Sequence, residues 1–333
     1  MSQYITLSHI EVQDANAIAG ITYGFPAVTN FLGFVHALSR KLEEKKGVTL
    51  GGCVIVCHDF QLHTYQADSY KYSDYYFSQT KNTSSGRYHQ SKDRGNTPPV
   101  IEEGKMQMNV SLVIECNGLK SSNSEDIELF ENYIKNLALR HKLAGGRIMS
   151  IANSRIETIV DENGFRKIRR RLLPGFVLKE RNAYLQEHLE KLQEENSQAD
   201  MLEVWLDFSS IKYRAEPMLK EGEELSEKTK AEWNKIERPN KGYLVPLMVG
   251  YQAIDRLYEA GEVANTRDPT KPFCFVEAIY GIGEWLSPHR LESLEEVLWH
   301  YKYEDGYYLT TQETDKSSKE EIDDDISNEL DFM

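Results

Sequence analysis

The stretch GFPAVTNFLGFVHALSRKL, Gly24 to Leu42, changes character in its middle. Phe31, Phe34, Val35, Leu38 and Leu42 recur at helical spacing, so the second half predicts an amphipathic helix running to about Lys45. Gly24 and Pro26 keep the first half out of that helix, and Thr29 or Asn30 is the expected N-cap. The first turn then offers backbone N–H groups at the positive end of a helix dipole, a place where an anion can sit.

Working outward, a strand near Tyr4 to Val12 precedes this helix, and strands over about Gly52 to Gln66 and Met106 to Glu115 follow it. A second helix is expected from Ser124, its N-cap, to about Lys142, where Gly145 and Gly146 end it; a strand from Arg147 to about Val160 comes next. The order β-α-β-β-α-β predicts an α+β fold class: a ferredoxin-like, RRM-like antiparallel sheet with two helices over residues 1–180. Residues 67–105 interrupt it as a long β-hairpin insertion, and 181–311 form a C-terminal α+β extension. In that second half Arg171 to Lys179 reads as extended and Asn182 to Phe208 as helical. Residues 217–241 read as a charged linker or mobile helix, Tyr243 to Ile254 and Phe273 to Ile279 as strands, and Leu291 to Tyr301 as a helix.

With 333 residues, 40% of them hydrophobic and 11% aromatic, the chain has ordinary globular composition. The absence of a long apolar run and of a signal-peptide start predicts a cytoplasmic protein with no membrane partner. Cys53, Cys57, Cys116 and Cys274 suit a reducing compartment. Four residues of strand place Cys53 and Cys57 roughly 13 Å apart, too far for a disulfide or a shared metal. The net charge of −14 is unevenly spread. Residues 312–333 hold nine acidic and two basic side chains, a net of −7, and are expected to be a disordered acidic tail. Another net −6 falls between Glu180 and Asp207. The total therefore conceals a local basic run.

That run is RKIRRR, with Arg169, Arg170 and Arg171 beside Arg166 and Lys167. Read as extended chain, it puts Arg169 and Arg171 on one side, where they can track phosphates; the alternative is that all are solvated or paired with carboxylates. In the insertion, Tyr65, Tyr70, Tyr72, Tyr75, Tyr76, Phe77 and Tyr88 alternate with Lys71, Lys81, Arg87, Lys92 and Arg94. Such interleaving suits base stacking with phosphate neutralisation, or equally a tyrosine-rich hairpin packed on a neighbouring subunit. Catalytic motifs are absent: no GxxxxGK[ST], HExxH or GxSxG, and GIGEW lacks the third glycine of a dinucleotide site. His36, His58, His63, His289 and His300 are scattered singly, and strand spacing sends His58 and His63 to opposite faces.

The blocks NAIAGITYGFPAVTNFLGFVHAL, RRRLLPGFVL, LVPLMVGYQAI, LYEAGEVANTRD, FVEAIYGIGEWLSPHR and VLWHY, in that order from Asn16 to Tyr301, resemble the Csy-type crRNA 5′-handle-binding subunit, the Cas-five family member of type I-F CRISPR surveillance complexes. The resemblance implies a non-catalytic, cofactor-free protein that caps the crRNA 5′ handle, pairs with the large subunit and abuts the first crRNA backbone subunit. Contact with target DNA near the guide start would be indirect. It further implies RNA contacts at Asn16, Tyr23, Gly24, Phe25, Pro26, Thr29 and Asn30, at Arg169, Arg170 and Arg171, and at Arg267, His289 and Arg290. Tyr75, Tyr76, Arg87, Tyr88, Lys92 and Arg94 would belong to a thumb that kinks the guide. This chain has Tyr23 where tryptophan is common, and its acidic tail lies outside the family pattern. Two alternatives stand beside this reading: a metal-independent ribonuclease that cuts precursor crRNA, and a protein-only adaptor.

Overall fold

The computed structural model describes residues 2–66, 75–81, 100–120, 123–218, 226 and 229–312. Four long strands form its centre: β1 (Ser2–Asn16), β2 (Thr49–Leu62), β3 (Lys105–Asn117) and β4 (Gly146–Ile159). They alternate apolar residues between two faces, and each face has its own core. Ile5, Leu7, Ile10, Ile55, Val110 and Leu112 point to one side with α1 (Val28–Lys46) and α2 (Ser124–Ala138). Tyr4, Val54, Val56 and Val113 point to the other, against α3 (Glu162–Arg171).

Later segments extend the same sheet. β5 (Phe176–Glu180) pairs with β2, and β6 (Leu244–Ala253), β7 (Val276–Leu286), β8 (His300–Glu304) and β9 (Tyr307–Thr311) follow outward. With a two-residue strand at Lys142–Leu143 the sheet has ten strands in the order β8-β9-β6-β7-β5-β2-β3-β1-β4-(142–143), all neighbours antiparallel. Two further helices, α4 (Ala183–Glu195) and α5 (Met201–Ser209), pack on Leu244 and Ile282 of β6 and β7. The class is therefore α+β, one large antiparallel sheet with five α-helices among the described residues. No helix among the described residues is long and apolar enough to cross a membrane.

The opening helix forms as its spacing requires, with Phe31, Phe34, Val35, Leu38 and Leu42 all buried. It ends at Gly47, whose φ of +63° lets its N–H close on the Glu43 carbonyl. Its start differs from expectation. Ala27 occupies the N-cap without any side-chain hydrogen bond, and Thr29 and Asn30 lie inside the first turn. α2 also differs: Asn123, not Ser124, caps it by accepting from the Glu125 N–H, and it stops at Ala138. Gly145 and Gly146 belong instead to a tight hairpin, with Ala144 and Gly145 both at positive φ and Leu143 opposite Gly146. Side chains of α2 also cover the outer edge of β4, Glu131 accepting from Ile156 N–H and Lys135 donating to the Ala152 carbonyl.

The largest correction concerns the basic run. It is helical rather than extended: Asp161 caps α3 by accepting from Gly164 N–H, and Phe165, Ile168 and Leu172 recur at helical spacing on the buried side. The Asn182–Phe208 segment is two helices, broken at Asn196 and restarted by Asp200, whose side chain accepts from Glu203 N–H. Part of the expected linker is a hairpin pairing Tyr213–Pro217 with Ala231–Lys235. The expected helix from Leu291 to Tyr301 is also absent. Trp299, fully buried, exchanges both backbone hydrogen bonds with Cys53 of β2, which pulls the segment into extended pairing after two short 3-10 turns. Strand β2 ends at Leu62, and Thr64–Gln66 starts a separate ribbon with Tyr75–Lys81 and Val100–Glu103, where the long insertion was expected.

Candidate nucleic-acid interface

Two positive-φ glycines shape the loop before α1. Gly20, at φ +60°, turns Ile18–Ala19 back onto Thr22–Tyr23, and Gly24, at φ +119°, donates its N–H to the Ala17 carbonyl 2.9 Å away. A Cβ on Gly24 would meet nothing within 4 Å, so glycine is required there by backbone conformation and not by crowding. Asn16 supports the same turn, its side-chain N–H donating to the Ile18 carbonyl at 2.8 Å. Beyond Gly24, Phe25 stacks on Phe31 and meets Trp285 edge-on at 4.9 Å, which anchors the loop to both α1 and β7. Pro26 is buried, and the Thr29 carbonyl accepts from the Tyr301 hydroxyl at 3.2 Å.

In front of this loop lies an open groove of about 550 Å³. One wall is Tyr23, Gly24, Phe25 and Pro26; the others are Cys57 to Phe60 at the end of β2, Phe176 at the start of β5, Tyr243 just before β6 with Val245 to Met248 on it, and Trp285. Tyr23 (69%), Phe60 (47%), Phe176 (53%) and Tyr243 (65%) expose large aromatic surfaces around it. Charge and polarity enter chiefly through His58 and Asp59. Burial lowers the His58 pKa, against the opposing hydrogen bond to the Pro174 carbonyl, and its other nitrogen meets the Ser111 hydroxyl at 2.6 Å. Burial beside Asp59 pushes the Cys57 thiol up to about 12, which makes it inert. Tyr23 also meets Phe77 of the ribbon edge-on at 5.6 Å, so groove and ribbon adjoin.

The expected arginine triplet divides among three environments. Arg171 bonds Glu157, a nearly buried carboxylate that also accepts from Thr6. Arg169 donates to the Leu291 carbonyl and lies over the Phe165 ring. Arg170 lines an open cleft of about 450 Å³ with Asn163, Arg166, Lys167 and Arg171. His289 and Arg290 are exposed on the turn beside Leu291, next to Arg169; Arg290 also lies 3.9 Å from Glu284. Arg267 is exposed on the loop between β6 and β7 and does not line the groove. Tyr75 and Tyr76 stand exposed on the ribbon, Tyr76 beside Tyr65 at 5.7 Å; Arg87, Tyr88, Lys92 and Arg94 lie outside the described residues. No group of three or more His, Cys, Asp or Glu among the described residues is placed to hold a metal. Phe60, Phe176, Tyr243 and Trp285 were not expected at the site, since they come from four strand ends that no local pattern joins.

The comparisons with known proteins agree with one another. The family model described as CRISPR-associated protein (Cas_Csy2) matches residues 5–310. CRISPR-associated protein Csy2 of Pseudomonas aeruginosa (strain UCBPP-PA14) is 36% identical over 315 residues, covering 90% of this chain and 91% of that protein. Both put the chain among the CRISPR-associated proteins. It belongs to the Csy2 family, of type I-F CRISPR systems.

Proposed function

We propose that this chain is the non-catalytic subunit that binds and caps the crRNA 5′ handle in a type I-F surveillance complex, pairs with the large subunit and contacts the first backbone subunit, so supporting target DNA binding. The observation that carries the reading is the groove at the Gly24 loop, open and walled by Tyr23, Phe60, Phe176 and Tyr243. Unstacked bases of single-stranded RNA bind such aromatic walls. The walls suit bases better than phosphates, which refines the expectation that the helix start receives phosphate oxygens. The order β2-β3-β1-β4, with α1 and α2 on one face, supports a ferredoxin-like core. His58 has both ring nitrogens engaged, which supports a binding site over a general acid-base pair.

The test is photocrosslinking of a guide RNA carrying 4-thiouridine in its handle, in the assembled complex. Adducts are expected on peptides containing Tyr23–Pro26, Cys57–Phe60 or Tyr243–Met248. A handle that crosslinks only to other subunits makes this chain a protein adaptor, and cleavage of precursor repeat RNA by the purified chain without metal makes it a nuclease.

A further inference from the structure

A second feature of the sheet lies beside the groove. Strand β1 bulges between Leu7 and Ile10, and His9 at the bulge has φ +50°, a left-handed conformation that side-chain-bearing residues rarely adopt. The bulge lays His9 on His58, ring centroids 4.1 Å apart and planes within 28°. His9 N–H donates to the Ser111 hydroxyl at 2.9 Å, and its Nδ1 meets Asn109 Oδ1 at 3.1 Å. With Nδ1–H donating to the Asn109 carbonyl oxygen, Nε2 of His9 is the ring nitrogen left for a ligand, and as the imidazolium it can donate to a phosphate oxygen.

His9 lines a cleft of about 300 Å³ with Ser8, Asn153, Arg155 and Arg171. Arg155 lies 3.5 Å from Glu131, and Arg171 bonds Glu157. One carboxylate does not use up the five donors of a guanidinium, so both arginines retain N–H groups for a second anion. Past Arg171 the cleft adjoins the one lined by Lys167 and Arg170. On the other side of the stack His58 lines the aromatic groove. Flat apolar walls and a cationic cleft thus share one pair of stacked imidazoles. A ligand with flat apolar groups on an anionic backbone complements both.

We propose that the cleft at His9 seats a phosphodiester of single-stranded nucleic acid whose neighbouring bases occupy the aromatic groove across the His9–His58 stack. The inference rests on the RNA-binding reading above. It adds a phosphate-binding residue and a path for the strand, from the Gly24 loop past His9 toward α3. A strained residue persists where the surrounding structure holds it, and here the strain aims an imidazole at a cationic cleft.

The test uses the full chain and a fluorescent oligouridylate, with affinity measured against salt. His9→Asn keeps a residue that tolerates the left-handed conformation, so folding is retained while the imidazole is lost. Arg155→Gln removes one charge, and Lys41→Gln on the exposed side of α1 is the control. We expect His9→Asn to weaken binding by about tenfold with thermal melting unchanged, and Arg155→Gln, which also takes the ion-pair partner from the buried Glu131, to flatten the log–log salt slope by about 0.7 whatever its melting shift. Wild-type affinity in both variants overturns the seat and leaves the RNA reading standing. Failure of the wild-type chain, alone and in the assembled complex, to bind any RNA overturns both. Inorganic phosphate replacing chloride at fixed ionic strength is the ion control: competition with the RNA that His9→Asn abolishes supports the seat, since an ion displaces RNA only from a place the RNA occupies.

Discussion

Arg171 and Glu157 form an ion pair at the seam between α3 and the sheet, with Glu157 only 8% exposed and held from its other side by the Thr6 hydroxyl. A charge this enclosed requires its partner, so Arg171→Ala should cost about 2 to 4 kcal/mol of stability by leaving a carboxylate uncompensated. Arg170→Ala, which removes an open cation, should leave melting unchanged and flatten the salt dependence of RNA binding by about 0.7. Urea melts and salt titrations on both variants check the division. Equal stability losses would contradict it.

Gly24 supplies a second case. Its φ of +119° strains any side chain although space is available, so Gly24→Val should cost about 1 to 3 kcal/mol of local strain. Phe34→Ala, in the α1 core, should cost about 3 to 5 kcal/mol. If the loop contacts RNA, Gly24→Val loses guide affinity out of proportion to its melting shift, and Phe34→Ala does not. Proportional losses in both would give Gly24 a structural role alone.

Gln312, the first residue of the segment read as an acidic tail, is tied to the fold, while residues 313–333 lie outside the described residues. Gln312 exchanges two hydrogen bonds with Glu180, through its backbone N–H and its side-chain carbonyl, and its amide N–H donates to Leu178. A chain ending at Gln312 should melt as the full chain does, whereas one ending at Thr311 should lose about 1 to 3 kcal/mol. Paired thermal melts of the two truncations decide it.

Two carboxylates predict the acid limb of stability. Burial alone would raise the pKa of Asp207, yet hydrogen bonds from Lys212 and His188 outweigh it and hold the carboxyl below its ordinary value. Glu296 behaves alike, burial being outweighed by Lys179 and by the backbone N–H groups of Glu292 and Ser293. A depressed carboxylate contributes stability above its unfolded pKa and loses it as pH falls through the folded value. The melting temperature should therefore drop on acidification below the carboxylate range. Asp207→Asn should start lower at neutral pH and fall less steeply; parallel slopes would show that the pairing contributes nothing.

Segments whose apolar period is long and uninterrupted could be read directly: β1, α1, β3 and β4 follow from Ile5, Phe31, Val110 and Ile148 and their neighbours. The helix α3 was obscured because five basic residues surround Phe165 and Ile168, whose spacing is helical when read alone. The segment from Leu291 deceived in the opposite direction. Its apolar residues have helical spacing, but the pairing of Trp299 with Cys53 is long-range and leaves no local mark. The Gly24 wall of the groove was visible in its Gly-Phe-Pro, while Phe60, Phe176, Tyr243 and Trp285 meet only through sheet order. His9 left no signal, since a bulge is a property of two paired strands.

The exchange between Cys53 and Trp299 also bears on how the molecule is made. A ribosome delivers β1 to β4 early, yet β2 gains its second neighbour only when Phe176–Glu180 emerges, and the Trp299 closure comes almost last. Until then the Cys53 stretch of that flank has no native partner beside it. Such distant pairing slows folding and exposes intermediates to misassembly. Nascent chains stalled before residue 299 should consequently be the aggregation-prone species, and substitutions at Trp299 should reduce yield in cells more than they shift the melting point of whatever protein does fold.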